Sequence, residues 1–252
     1  MKKIIEVQNL VKNYGNFQAV KGISFDVLEG EIFGLLGPNG AGKSTTLEII
    51  ETLRTKTSGK VFVDGFDLDK NPNDIKKLIG VQLQASGYYP GLNISELIHL
   101  FNGLYNRHVD VMELLDLVNL RDKAKAKFKE LSGGQKQRFS VATTLINDPK
   151  IIFLDEPTTG LDPQARRSLW DLIRNIRDKG TTVIITTHYM DEAEVLCDRV
   201  AVIDSGKIIA IDTPDKLIDD LVSTGFERPK SVKSATLEDV FIHLTGKSLR
   251  ED

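Results

Sequence analysis

Three kinds of hydrophobic spacing follow one another along the chain, and their order outlines a fold. Apolar or alternating runs at residues 4–11, 23–28 and 31–36 predict strands with turn residues between them. Residues 42–53 have helical spacing, and Ser58 and Gly59 turn into a further strand at 60–63. After Gln84 the period changes. Residues 93–105 open with a capping box, Asn93 and Glu96, and keep a helical repeat, as do 109–117 and 134–146. Residues 85–146 are therefore expected to be helical. Beyond them, 151–154, 182–187 and 200–204 are short, mostly apolar runs of the kind buried on both faces. Helices at 163–177 and 190–196 separate them. That alternation predicts a parallel sheet with crossover helices. Residues 222–235 are polar, hold Pro229 and read as a loop or linker. Leu237, Val240, Phe241 and Leu244 then mark one face of a short closing helix.

With 252 residues, 40% of them hydrophobic, the chain can bury a core as one large domain or two small ones. A net charge of -3, with both signs mixed along the sequence, argues against the basic surface of a nucleic-acid binder. Cys197 is the single cysteine, which excludes a disulfide framework and a cysteine metal cluster. The opening MKKIIEVQNL lacks the apolar run of a signal peptide. No stretch approaches the roughly 18 apolar residues of a membrane span. A soluble cytoplasmic chain is expected, with any membrane role exerted through a partner.

The clearest chemistry follows the run at 31–36. Gly37, Pro38, Asn39, Gly40, Ala41, Gly42, Lys43 and Ser44, followed by Thr45, satisfy the eight-position P-loop pattern between a strand and a helix. Glycines let backbone amides turn inward around phosphates. Lys43 can reach the β- and γ-phosphates, and the Ser44 hydroxyl can ligate Mg²⁺. The apolar run 151–154 ends in Asp155 and Glu156. A carboxylate beside the cradle supplies a second metal contact, for which Asp155 is the candidate. Glu156, one residue further, is free to orient or deprotonate water. No guanine-reading Asn/Thr-Lys-x-Asp motif follows, which disfavours a GTPase. Tyr14, in the turn ahead of the cradle, is a candidate for stacking on adenine, against the plainer reading of local packing.

A second phosphate site lies in residues 131–138, LSGGQKQR. Ser132 and Gln135 have capping-box spacing, and Gly133 and Gly134 leave the first helical turn bare, so that another molecule can approach its free amides. One nucleotide does not need two cradles.

Together these segments resemble the nucleotide-binding subunit of ATP-binding cassette (ABC) transporters. The resemblance rests on residues 37–45, Gln84, LSGGQ at 131–135, IIFLDEP at 151–157, the stretch from Thr159 to Asp162, and His188, in the family's order and spacing. It implies an α/β P-loop NTPase core with a mostly parallel sheet, an N-terminal antiparallel β part and an inserted helical subdomain. The ATP-binding core would comprise residues 1–84 and 147–221, the signature subdomain 85–146, and a linker with C-terminal helix 222–252. The cofactors implied are ATP and Mg²⁺. The partners implied are an integral-membrane permease, which holds the cassette at the inner face of the cell membrane, and a second cassette in a head-to-tail homodimer or heterodimer. Each ATP would lie between one chain's cradle and the other's Ser132, Gly133, Gly134 and Gln135.

By the same resemblance Tyr14 stacks on adenine, Gln84 senses the γ-phosphate and Mg²⁺, and Asp162 lines the dimer interface. His188, which alone reads as an ordinary strand-end histidine, would hold the γ-phosphate and the attacking water beside Lys43 and Glu156. Residues 80–84, the Leu104-Tyr105 helix end, 187–194 and 237–241 resemble the drug-, polysaccharide- and lipid-exporter branch. Thr143-Thr144, where many cassettes carry Ala-Arg-Ala, weakens an importer assignment. The rivals are an importer ATPase and a chromosome-maintenance ATPase. The latter uses the same signature but carries long insertions, and no nucleic acid is expected here. The family's membrane subunit docks a short helix on the helical insert. That groove is expected near 85–92, with Tyr88, Tyr89 and Leu92 forming it and Tyr88 and Tyr89 dispensable for hydrolysis.

Overall fold

The apolar runs assemble into two sheets in a computed structural model that describes residues 2–82 and 87–226. In chain order the strands are β1 (Lys3–Tyr14), β2 (Phe17–Leu28), β3 (Ile32–Leu36), β4 (Ser58–Val63), β5 (Phe66–Asp67), β6 (Ile79–Gln82), β7 (Ile151–Asp155), β8 (Thr182–Thr187), β9 (Arg199–Asp204) and β10 (Lys207–Asp212). The helices are α1 (Lys43–Ile50), α2 (Pro72–Leu78), α3 (Ile94–Tyr105), α4 (Val111–Leu117), α5 (Gly133–Thr144), α6 (Pro163–Asp178), α7 (Met190–Leu196) and α8 (Pro214–Ser223). One sheet is antiparallel, in the order β2-β1-β4-β5. The other runs β10-β9-β3-β8-β7-β6. It is parallel except for β10, which pairs antiparallel with β9.

Alternation along the parallel strands sorts their side chains into two cores. Ile32, Leu36, Ile152, Leu154, Val183, Ile185 and Val200 face a core shared with α3 to α7. Phe33, Leu35, Ile151, Phe153, Ile184, Ala201 and Ile203 face the other, shared with α1 and the antiparallel sheet. Burying each such side chain contributes roughly 1.5–3 kcal/mol. A slip of one residue would exchange the two faces, so the packing holds the register.

The β1–β2 hairpin is longer than the hydrophobic pattern predicts. Pairing continues through Lys12↔Val20 and Asn13↔Gln18 to Tyr14↔Phe17. Main-chain hydrogen bonds carry that polar stretch, and the Asn13 amide adds a bond to Thr57 Oγ1 at 2.9 Å. β5, β6, β10 and α2 also lie where the pattern shows no clear period. α8 runs through Ser223, two residues into the stretch expected to be linker. The chain up to Leu217 forms one compact unit, and Ile218 opens a second. The closing helix expected near Leu237, together with Gln84 and Ala85, lies outside the described residues. Among those described, no helix is long and apolar enough to cross a membrane.

α5 leans on β6 at Gly80, where a Cβ would stand 2.1 Å from the Thr144 carbonyl oxygen. The Asn147 side chain donates to Ile79 O at 2.9 Å and closes the same junction. Between β6 and α5, Tyr88 lines a cleft of about 210 Å³ together with Gly87, Phe101, Tyr105 and Thr143, where the groove is expected. Its ring lies 4.3 Å from Phe128 and 5.3 Å from Phe139, edge-on to the latter. Its hydroxyl meets Ser140 Oγ at 3.3 Å and Thr143 Oγ1 at 3.2 Å. Tyr88 thus packs on the helical segment while lining that cleft, and Tyr89 is 67% exposed. Tyr88→Ala is expected to lower stability by about 3 kcal/mol, through the lost ring. Tyr88→Phe should cost about 1 kcal/mol, through the hydroxyl alone. Urea unfolding of the two variants checks this ordering.

Candidate active site

Parallel strands bring their carboxyl ends to one edge of a sheet, where ligands of such folds bind. Leu36 of β3 lies opposite Thr187 of β8, and Asp155 of β7 opposite Thr186. The loop after β3 is pinned there by the Gly37 amide, which donates to Thr187 O at 3.3 Å. Ala41 N then turns back onto Pro38 O at 3.2 Å. Gly42, at the N-cap of α1, has a φ of 100°, and a Cβ would stand 2.6 Å from Ala19 O. Both the backbone and the available space require glycine at this position.

Lys43 enters the cleft with its side chain 4% exposed. Its ammonium donates to Gly37 O at 2.9 Å and Pro38 O at 3.1 Å, and lies 3.5 Å from Glu156 Oε1. A desolvated cation needs such partners, and a phosphate oxygen is a stronger one than a carbonyl. Ser44 Oγ donates to Asp155 Oδ1 at 3.2 Å, and the Thr186 hydroxyl donates to the same oxygen. The Glu156 amide donates to Thr186 Oγ1 at 3.0 Å, which holds Glu156 in the left-handed region at φ 46°. That conformation costs of order 1–2 kcal/mol in a non-glycine residue and concentrates at functional sites. His188 Nδ1 lies 3.2 Å from Glu156 Oε2 without the alignment of a hydrogen bond, and Thr159 Oγ1 donates to the same oxygen at 3.3 Å.

Of these groups Lys43, Ser44 and Glu156 line a cleft of about 420 Å³ whose walls also include Tyr14, Phe17, Asn39, Gly40 and Thr45. Tyr14 is 40% exposed at the hairpin tip. Lys12 Nζ lies 5.0 Å and the Arg54 guanidinium 5.4 Å from the centre of its ring. Phe17, 64% exposed, was not anticipated from the sequence, although an exposed aromatic three residues after Tyr14 was a usable signal. Thr186 was also missed, as was the bond from Thr159 to Glu156, because a threonine in an apolar strand or a turn carries no signal of its partner.

The signature segment lies elsewhere. Ser132 caps α5, with its Oγ accepting from Gln135 N at 3.3 Å and its amide donating to Gln135 Oε1 at 2.9 Å. The two glycines differ. A Cβ on Gly133 would have no atom nearer than 3.9 Å, whereas one on Gly134 would stand 2.9 Å from Ala165 Cβ at the start of α6. Gly134 is therefore needed for the α5–α6 approach, and Gly133 alone leaves open surface. Asp162 caps α6, with its Oδ1 accepting from Gln164 N and Ala165 N at 2.9 Å each.

A strand, a glycine loop with Lys-Ser, a helix, and an acid-ended strand two places across the sheet are how P-loop NTPases hold a nucleotide's phosphates. This chain has that architecture. Residues 20–159 match the ABC transporter family, and the chain belongs to that family as an ATP-binding, ATP-hydrolysing subunit. It is 40% identical over 240 residues to Nod factor export ATP-binding protein I of Burkholderia lata, an alignment covering 93% of this chain and 79% of that one. It is also 40% identical over 219 residues to linearmycin resistance ATP-binding protein LnrL of Bacillus subtilis, covering 85% and 70%. The dimeric post-hydrolysis structure of the ATP-binding cassette MJ0796 bound to ADP and Pi matches with a TM-score of 0.74 at 28% identity. That match covers 83% of this chain and 98% of the other.

One buried acid lies beside the site. Burial pushes the Glu51 carboxyl, at the end of α1, from 4.5 up to about 8, and the charges of Asp155 and Glu48 push it the same way. Native Glu51 keeps its proton where the unfolded chain has lost it, so its contribution to stability falls as pH rises from 4.5 to about 8. Glu51→Gln should remove that slope. Thermal midpoints of the variant and wild type should diverge toward pH 8, with wild type the lower. Among the signature glycines, Gly134→Ala should lower unfolding stability by about 1 kcal/mol or more, and Gly133→Ala by less than about 0.5 kcal/mol, in denaturant titrations.

Proposed function

We propose that the chain powers export of a substrate through a membrane permease by hydrolysing ATP with Mg²⁺ at a site shared between two cassettes. The observation that carries the shared site is a separation. Among the described residues, none lining the cleft comes from 131–135, yet the start of α5 presents uncommitted amides at open Gly133. A head-to-tail partner would bring its Ser132, Gly133, Gly134 and Gln135 to this chain's γ-phosphate, with Asp162 at the junction. The structural relative bound to ADP and Pi is itself dimeric. The direction of transport rests on the relatives named for export and resistance.

In this reading Tyr14 stacks on the adenine, and the amides of residues 37–45 with Lys43 hold the β- and γ-phosphates. Ser44 and Asp155 suit Mg²⁺, because both are hard oxygen donors, 3.2 Å apart. No group of three or more His, Cys, Asp or Glu placed to hold a metal ion is present among the described residues, so the remaining ligands would be phosphate oxygens, water and Gln84. The metal supplies charge neutralisation on the phosphates. Glu156 takes a proton from the attacking water as its oxygen bonds to the γ-phosphorus in line. The bond to the bridging oxygen then breaks and ADP leaves. His188 orients the γ-phosphate and the water, and the partner's Gly133 amide stabilises the developing charge. Residues 85–146 would be the signature subdomain that meets the permease, with Tyr88, Tyr89 and Leu92 on the contact surface. The cassette would sit on the cytoplasmic face of the membrane through that contact.

Glu156→Gln should lower turnover by about 10²–10⁴-fold while ATP still binds. With ATP it should accumulate as a dimer in size-exclusion chromatography. Near-wild-type turnover would rule out Glu156 as the base. A variant that binds ATP yet stays monomeric would rule out the shared site.

A further inference from the structure

Arg166, Trp170, Arg174 and Arg177 recur along α6 at helical steps, and each holds the chain that follows His188. Arg166 Nη1 meets Asp191 Oδ2 at 3.0 Å, and its guanidinium lies 4.5 Å over the ring of Tyr189. The Trp170 indole donates to Glu192 Oε1 at 3.0 Å. Arg174 Nη2 donates to Val195 O at 2.9 Å, and Arg177 Nη1 meets Asp198 Oδ1 at 3.2 Å. Glu192 is 0% exposed and its second oxygen has no hydrogen bond, a cost that the neighbouring contacts must offset. The stack continues into the cleft. The Tyr189 ring lies 4.1 Å from the His188 ring, tilted by 37°, and His188 Nδ1 lies 3.2 Å from Glu156 Oε2.

We propose that Arg166 and Tyr189 are positioning residues for ATP hydrolysis, acting by holding the His188 ring at the angle from which it meets the γ-phosphate. A histidine at a strand end swings freely about two side-chain torsions unless a neighbour blocks it. Tyr189 supplies a flat wall on one side of the imidazole. Arg166, a planar cation lying against that tyrosine and tied to Asp191, stops the wall itself from turning. The wall needs the ring of Tyr189 and not its hydroxyl. This proposal rests on the role given to His188 above.

The test is a set of steady-state ATPase measurements on the full chain with Mg²⁺. Y189A and R166A should lower kcat by about tenfold and leave KM for ATP within about twofold, the pattern of an interaction used only in the transition state. Y189F should restore wild-type kcat. On an H188A background, measured over long incubations, Y189A should cause no further loss, since it acts through His188. Trp170 is the one tryptophan of the chain, so an unchanged emission maximum in Y189A shows that the α6–α7 junction is intact. Full kcat in Y189A beside a crippled H188A would overturn the proposal, and so would an equal further loss on the H188A background. Wild-type turnover in H188A would instead overturn the role of His188 itself, and this proposal with it.

Discussion

Thr186 of β8 accepts the Glu156 amide proton at 3.0 Å and donates its own to Asp155, so one hydroxyl ties the main chain of one acid to the side chain of the other. Ser44 on Asp155 and Thr159 on the Glu156 carboxylate complete the hold. The Thr186 hydroxyl is in place only because β7 and β8 pair with Asp155 opposite Thr186. That register is kept in turn by the alternation of Ile151 and Phe153 into one core and Ile152 and Leu154 into the other. The chemistry of the cleft is therefore a consequence of how two hydrophobic cores divide a single strand. Lys43, brought from the opposite side by the loop after β3, balances charge that the register has already placed.

The sequence was most readable where side-chain period and burial coincide. β7, β8 and α7 stand where their apolar runs place them, and Asn93 and Ser132 cap α3 and α5 as their spacing indicates. Reading failed where main-chain bonding did the work. The outer half of the β1–β2 hairpin is polar, and its pairing leaves no periodic trace. At the site the phosphate loop and the two acids were legible as motifs, because their chemistry restricts residue type. Thr186 was not, because a neighbour across a sheet is a fact of three dimensions. At Tyr88 two roles that read alike in a turn-rich stretch coincide, because its ring packs on Phe128 and Phe139 and also lines the cleft between β6 and α5.

Glycine carries several distinct duties within this one chain. At Gly42 the backbone angle requires it, and at Gly80 the passage of α5 over β6 does. At adjacent Gly133 and Gly134 the motif is the same and the physics is not. One keeps surface clear, and the other lets two helices of the same chain approach. A motif written as a string conceals that division of labour.

The hairpin tip bears on nucleobase selectivity. Tyr14 and Phe17 sit at the turn end of two twelve-residue strands and line the cleft with aromatic rings. A ring face presents no pattern of donors and acceptors, so it grips a base by area and polarisability and is indifferent to the groups along its edge. In the proposed reading, discrimination among purine nucleotides at this cleft would be shallow. The cell's supply of each triphosphate, more than the tyrosine, would then decide which one the cassette consumes.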